Sequence, residues 1–226
     1  MYQDIVDTYG IPLYKEVNPA LFTCVTFPFL FGIMFGDIGH GSVLLIVGVL
    51  LCLFDTCLRP RLPALSGLFK IRYLLLLMGL FSTFSGFLYN DFMSIPLFLR
   101  DSCYDLKTGA KLKGNKDCIY PFGIDPIWYL AKNELSFFNS FKMKLAVILG
   151  VLQMSLGVCM KAVNSIYFKR WLDLYHEFIP QIVLLWVLFG YMDVLIILKW
   201  LTNYEGKEGK APSVISMMIN MGLKRG

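Results

Sequence analysis

Charge is what this chain has least of. Of 226 residues only 16% are Asp, Glu, Lys or Arg, where a soluble domain carries about 25%. Histidine is scarcer still: His40 and His176 are the only two, and the six cysteines form no CxxC pair, which argues against a structural metal site. No GxxxxGK[ST] string occurs and no glycine-rich loop follows a strand-like run, so nothing is built to cradle nucleotide phosphates. The 21 basic residues against 16 acidic ones leave a net charge of +5, with no basic stripe of the kind nucleic-acid binders present. Cys24, Cys52, Cys57 and Cys159 lie in or beside apolar runs, where a thiol behaves as a small hydrophobe. These shortages exclude a soluble enzyme, a nucleic-acid module and a disulfide-dense secreted domain. No metal and no cofactor is expected.

What the chain has in quantity is hydrocarbon. Apolar residues make up 57%, gathered into Val17–Gly36, Ile38–Phe54, Tyr73–Asn90, Leu145–Met160 and Phe178–Val194, the last broken only by Asp193. A bilayer core about 30 Å thick takes roughly 20 apolar helical residues. The fold class expected is therefore all-α: a polytopic transmembrane domain of about five spans with one long loop.

The segment 56–72 carries Arg59, Arg61, Lys70 and Arg72, and a short basic loop belongs on the cytoplasmic side. That orientation sets the rest. Residues 1–18 form a cytosolic lead-in, and 19–55 a helical hairpin of spans one and two turning at Gly36-Asp37-Ile38-Gly39-His40-Gly41. Span three is 73–91, followed by a lumenal loop over 92–142. Span four is 143–168, a second cytosolic loop covers 169–177, span five is 178–198, and 199–226 is a lumenal tail whose apolar stretch Val214–Met221 is too short to cross.

On this topology Asp37, His40, Asp91, Lys142 and Lys144 share one membrane face, the lumenal one. Opposite charges at one depth can pair, which offsets the cost of holding them near hydrocarbon. The same groups could instead meet water, or relay protons, since imidazole changes charge in mildly acidic surroundings. Asp37 is expected to pair with Lys142 or Lys144, joining spans one and four. Within span one, Pro28 removes a helical donor and predicts a kink, and Gly32 with Gly36 forms a GxxxG that admits a neighbouring backbone. Asp193 is the one acid well inside a span, a functional candidate by default; with Lys199 marking the helix end, hydration near the interface is the expectation. Cys103 and Cys118 share a polar loop and are a candidate disulfide if that loop faces an oxidising compartment.

Several strings are family-specific. Phe27-Pro28-Phe29 leading into Ile33-Met34-Phe35-Gly36-Asp37-Ile38-Gly39-His40-Gly41 resembles the signature of subunit a of the vacuolar-type proton ATPases. The strings Leu77-Met78-Gly79, Gly86-Phe87-Leu88-Tyr89-Asn90-Asp91, Tyr120-Pro121-Phe122-Gly123-Ile124-Asp125-Pro126 and Asn139-Ser140-Phe141-Lys142-Met143-Lys144 are similar to its later blocks, in order. Phe178-Ile179-Pro180, Lys199-Trp200 and Ile219-Asn220-Met221 extend the likeness over essentially the whole chain, with Tyr9-Gly10-Ile11-Pro12 at its start. Asp193 falls where no family motif matches.

The resemblance implies a non-catalytic stator subunit in the membrane sector of a rotary pump, bracing a proton path beside a turning ring of carboxylate-bearing proteolipids. A carboxylate facing lipid must be protonated and can ionise beside an arginine, which is the role of the family's essential arginine. The helices bearing that arginine follow the part matched here, and none of Arg59, Arg61 or Arg72 lies in an apolar run, so no residue takes that role. The chain resembles the scaffold part, and is expected to be a portion of a longer subunit, the alternative being a truncated relative that cannot pump alone. Implied partners are the proteolipid c-ring, other membrane-sector subunits, lumenal accessory proteins, the missing remainder of subunit a, and membrane lipid, with no nucleic acid. The implied location is the membrane of acidic organelles (vacuole, lysosome, endosome, Golgi) or the plasma membrane. The rival readings are a purely structural assembly module and an unrelated polytopic secondary transporter, which calls for inverted repeats and helices broken at mid-membrane.

Overall fold

The computed structural model describes residues 2–55, 66–98, 101–104, 120–202 and 213–223. Helices account for nearly all of its regular structure: α1 (Tyr2–Asp7), α2 (Ala20–Met34), α3 (Ile38–Leu53), α4 (Ser66–Tyr89), α5 (Glu134–Tyr167), α6 (Trp171–Leu201) and α7 (Val214–Leu223). Between α4 and α5 lie a two-residue hairpin, β1 (Asp91–Phe92) and β2 (Ile95–Pro96), and a single 3-10 turn, Pro126–Leu130. Two compact units divide the chain, Met1–Leu13 with Asn18–Ala146 and Tyr14–Val17 with Val147–Gly226.

Among the described residues three helices have the length and apolarity to cross a bilayer: α4 with 24 residues, α5 with 34 and α6 with 31. The 15 residues of α2 and the 16 of α3 are fewer. At 1.5 Å per residue they extend only about 22 and 24 Å, short of a hydrocarbon core about 30 Å thick. The reason is local. Phe35 and Asp37 leave helical geometry (φ −106°, ψ 35° and φ −146°, ψ 129°), so apolar residues that the hydropathy run counts as membrane are spent on the reversal.

The other boundaries shift outward. The helices that contain the expected third, fourth and fifth spans extend beyond them: α4 runs from Ser66, α5 from Glu134 and α6 from Trp171, taking in residues expected as loop. Apolar runs mark only the hydrocarbon-length part of a helix, whereas backbone hydrogen bonding continues through charged turns beyond it. Within α6 the winding loosens to π turns at Leu174–Phe178 and Trp186–Gly190. Pro180 follows the first and has no N–H to give the carbonyl four residues back, so the ladder shifts register there.

In the first unit α3 lies along α4, and α2 packs on α4 as well. Small residues make this possible. A Cβ on Gly79 would stand 2.4 Å from the Leu45 nitrogen, and one on Gly86 would stand 2.4 Å from the Ile38 nitrogen. The α2 end is sealed by α4 side chains: the Ser82 hydroxyl donates to the Phe35 carbonyl at 2.6 Å and the Tyr89 hydroxyl to that of Ile33 at 2.9 Å. Those are carbonyls a helix end leaves without intrahelical donors.

Candidate functional site

The site grows from the junction of α2, α3 and α4. Asp37 caps α3 from extended backbone, one carboxylate oxygen accepting the Gly39 N–H at 2.7 Å. Its other oxygen takes His40 Nδ1 at 2.5 Å. A carboxylate only accepts, so Nδ1 carries the hydrogen. The oxygen that caps α3 also accepts the N–H of Met93, in the hairpin turn, at 3.1 Å. Burial works to raise the Asp37 carboxyl, but the bonds from His40, Met93 and Gly39 outweigh it and hold it below the ordinary carboxylate value.

The hairpin is held by a second acid in the same manner. Met93 and Ser94 both adopt positive φ, 50° and 66°, the geometry of a type I′ turn, normally reserved for Asn and Gly. Asp91 accepts the Ser94 N–H at 2.9 Å, so two carboxylates grip adjacent N–H groups of one strained turn. Asp91 also receives Lys142 Nζ at 3.2 Å, from the first turns of α5. Both side chains are largely shielded, at 15% and 23% exposure, and the ammonium sits 5.0 Å from the Tyr89 ring centroid, a cation–π distance.

Tyr89 and the residue after it knit the cluster to the loop beyond. The Tyr129 hydroxyl donates to the Tyr89 carbonyl at 3.2 Å, and burial with the nearby Asp91, Glu134 and Asp37 carboxylates pushes that phenol well up. Asn90, in left-handed geometry at φ 58°, donates to the Leu97 and Ile124 carbonyls at 3.0 and 3.3 Å.

Four of the five charged residues singled out in sequence thus meet here: Asp37 with His40, and Asp91 with Lys142. The pairing differs from the one expected. Lys142 sits on Asp91, while the Asp37 oxygens are taken by His40 and two backbone N–H groups. Which helix face a side chain occupies across the bundle is not readable from apolar runs alone. Lys144 lies two positions along α5, on a different face from Lys142. Pro28 is completely buried inside α2. Gly32 and Gly36 meet α4: a Cβ would stand 2.7 Å from the Phe81 backbone and 2.6 Å from the Tyr89 ring, respectively. Cys103 is disulfide-bonded, and Cys118 lies outside the described residues.

Two features escaped the sequence reading. Asp55 and Arg72 pair across the opposite end of α3 and α4, with the guanidinium 4.8 Å from the Tyr73 ring; the signal was an acid closing one apolar run and a base opening the next. Asp125 organises the loop, accepting from the Ser102 hydroxyl at 2.8 Å and capping the 3-10 turn through the Ile127 N–H at 3.1 Å. Asp193, expected near water, is instead 9% exposed, and one of its carboxylate oxygens has no hydrogen-bond partner among the described residues. Among the described residues no three metal-ligating side chains come together.

Three bilayer-length helices, glycine-mediated packing and a cluster of paired charges at helix ends define a polytopic α-helical membrane domain. The family model for the V-type ATPase 116 kDa subunit family matches residues 1–226. Among curated relatives, the vacuolar proton translocating ATPase 100 kDa subunit of Dictyostelium discoideum is 45% identical over 98% of this chain and 29% of its own length. The V-type proton ATPase subunit a of Schizosaccharomyces pombe is 41% identical over 100% of this chain and 28% of its own length. The human V-type proton ATPase 116 kDa subunit a 3 is 41% identical over 98% and 30%. The chain belongs to the V-type ATPase 116 kDa subunit family, and it spans under a third of the length of these relatives.

Proposed function

We propose that this chain is the bracing part of a proton pump's stator, holding the membrane sector beside a rotating proteolipid ring, with Asp37, His40, Asp91 and Lys142 as a clamp on its lumenal face. It takes part in ATP-driven proton transport and organelle acidification without binding nucleotide itself. The observation that carries this reading is the pair of carboxylates on one turn: Asp37 ties α3 to the hairpin, and Asp91 ties the hairpin to α5. Three elements are thereby fixed at one membrane face.

A clamp of this kind favours bracing over conduction. The Asp91–Lys142 pair is shielded and mutually satisfied, and a proton relay needs groups free to change charge. Breaking such a pair by removing one partner leaves a charge near hydrocarbon without compensation. Assembly is therefore the property most sensitive to it.

The test is a charge swap in the intact pump. Asp91→Lys and Lys142→Asp alone should each abolish co-purification with the proteolipid ring and vacuolar-type acidification. Together they should restore a substantial part of both. Full assembly of either single variant, with acidification alone lost, would point to conduction and overturn the bracing role.

A further inference from the structure

A cavity of about 380 Å³ opens beside the 3-10 turn, walled by Tyr104, Tyr120, Asp125, Trp128, Phe137 and Phe141. That volume falls in the range of small-molecule sites, about 300–1,000 Å³. The acid clamp does not use it.

Its walls are rings set at angles. The planes of Tyr104 and Trp128 meet at 66° with centroids 6.4 Å apart, forming a corner. Phe137 stacks on Trp128 at 5.1 Å, and Phe141 continues the stack 6.5 Å further on. Such ring faces carry the negative end of the aromatic quadrupole and attract cations, with Trp the strongest.

The one charged group among the described lining residues is negative. Asp125 is 6% exposed. Its oxygens accept from the Ser102 hydroxyl at 2.8 and 2.9 Å, the Cys103 N–H at 3.3 Å and the Ile127 N–H at 3.1 Å. Every one of these donors is neutral, so the carboxylate's charge is solvated by hydrogen bonds without being cancelled. Among the described lining residues there is no lysine, arginine or histidine.

This combination selects among cations. A primary ammonium brings three N–H donors and needs acceptors, whereas the Asp125 oxygens already take three hydrogens, from the Ser102 hydroxyl and the Cys103 and Ile127 N–H groups, and have little acceptor capacity left. A quaternary ammonium has no donors to satisfy, an apolar hull that suits the rings, and a full positive charge for the carboxylate field. We propose that this cavity binds a quaternary ammonium group of the choline type.

The experiment is equilibrium binding of choline to the detergent-purified complex containing this chain, with two analogues alongside. One is 3,3-dimethylbutan-1-ol, which has the same shape without the charge; the other is ethanolamine, which has the charge with N–H donors. Choline should bind saturably and at least tenfold more tightly than either. Trp128→Ala should weaken it at least tenfold, and Phe137→Leu, which keeps the apolar fill and removes a ring, severalfold. Should Trp128→Ala fail to assemble, the Phe137→Leu variant carries the comparison. Repeating the titration in phosphatidylcholine and in phosphatidylglycerol nanodiscs separates the sources. Blockade only in phosphatidylcholine identifies a lipid headgroup as occupant, equal binding identifies soluble choline, and both support the site. Choline that does not saturate, a neutral analogue that binds as well, or unchanged affinity in the assembled Phe137→Leu variant overturns it. None of these readouts depends on proton pumping.

Discussion

The first unit and helix α6 solve the same problem, a long apolar helix, in opposite ways. In the first unit α4 is drawn against α3 until Gly79 and Gly86 touch backbone, and side-chain hydroxyls close the helix end. Along α6 only Leu185, Gly190, Asp193 and Ile196 are buried, and Leu184, Val187 and Val194 are exposed in keeping with lipid contact. The acids differ to match. Each oxygen of Asp37 has a partner, whereas Asp193 keeps one without any among the described residues. Helix ends offer backbone N–H groups to an acid, and the middle of a helix has none to spare. Close packing without a hydrophobic driving force relies on small residues, which is why the contrast shows first in glycine.

The largest expected effect comes from placing the same substitution in the first unit and in the second unit outside it. Gly79→Leu forces a side chain into the backbone of α3 and should cost more than about 3 kcal/mol, at the upper end for overpacking, read as loss of folded protein in detergent. Gly157→Leu, on α5, meets nothing within 4 Å and should be neutral or gain up to about 1 kcal/mol from helix propensity. Similar losses at both positions would erase the contrast.

The clamp should also be visible in pH. Replacing Asp37 by Ala removes the α3 cap, at a cost of about 1 kcal/mol. Because the native carboxyl is held below its ordinary value, its contribution is complete above the unfolded value of about 3.9 and is lost only as pH falls through the lowered native one. The difference in melting temperature between wild type and Asp37→Ala should hold from pH 7 to 5 and shrink below about pH 4. A difference that shrinks between pH 7 and 5 would contradict the assignment.

The smallest effect belongs to the acid of α6. Substituting Asp193→Leu removes a buried carboxylate with one oxygen lacking a partner among the described residues and should be neutral or stabilising by about 1 kcal/mol, as when buried charges give way to apolar side chains. A large loss on thermal unfolding would mean that Asp193 has a partner in the assembled protein.

How much of this was legible in the sequence depends on the physical quantity. Apolar runs located the helices, and Gly32 and Gly36 marked a close approach, because hydrophobicity and side-chain size are properties of single residues. Helix ends were read too short at Ser66, Glu134 and Trp171, since charged turns still hydrogen-bond as helix. The short α2 and α3 were missed for the converse reason, as the reversal at Phe35 and Asp37 consumes apolar residues. Lys142 was matched to Asp37, whereas it pairs with Asp91. The partner depends on the Met93–Ser94 turn, whose left-handed backbone carries no glycine or asparagine to announce it.

The central claim is that Asp91 and Lys142 act as one unit bracing the helix ends, and a double-mutant cycle tests it most directly. Melting temperatures of the intact complex bearing Asp91→Asn, Lys142→Met and both should give single losses of about 1–3 kcal/mol each and a double loss clearly smaller than their sum. Strict additivity would mean that the two residues stand at one membrane face without holding each other.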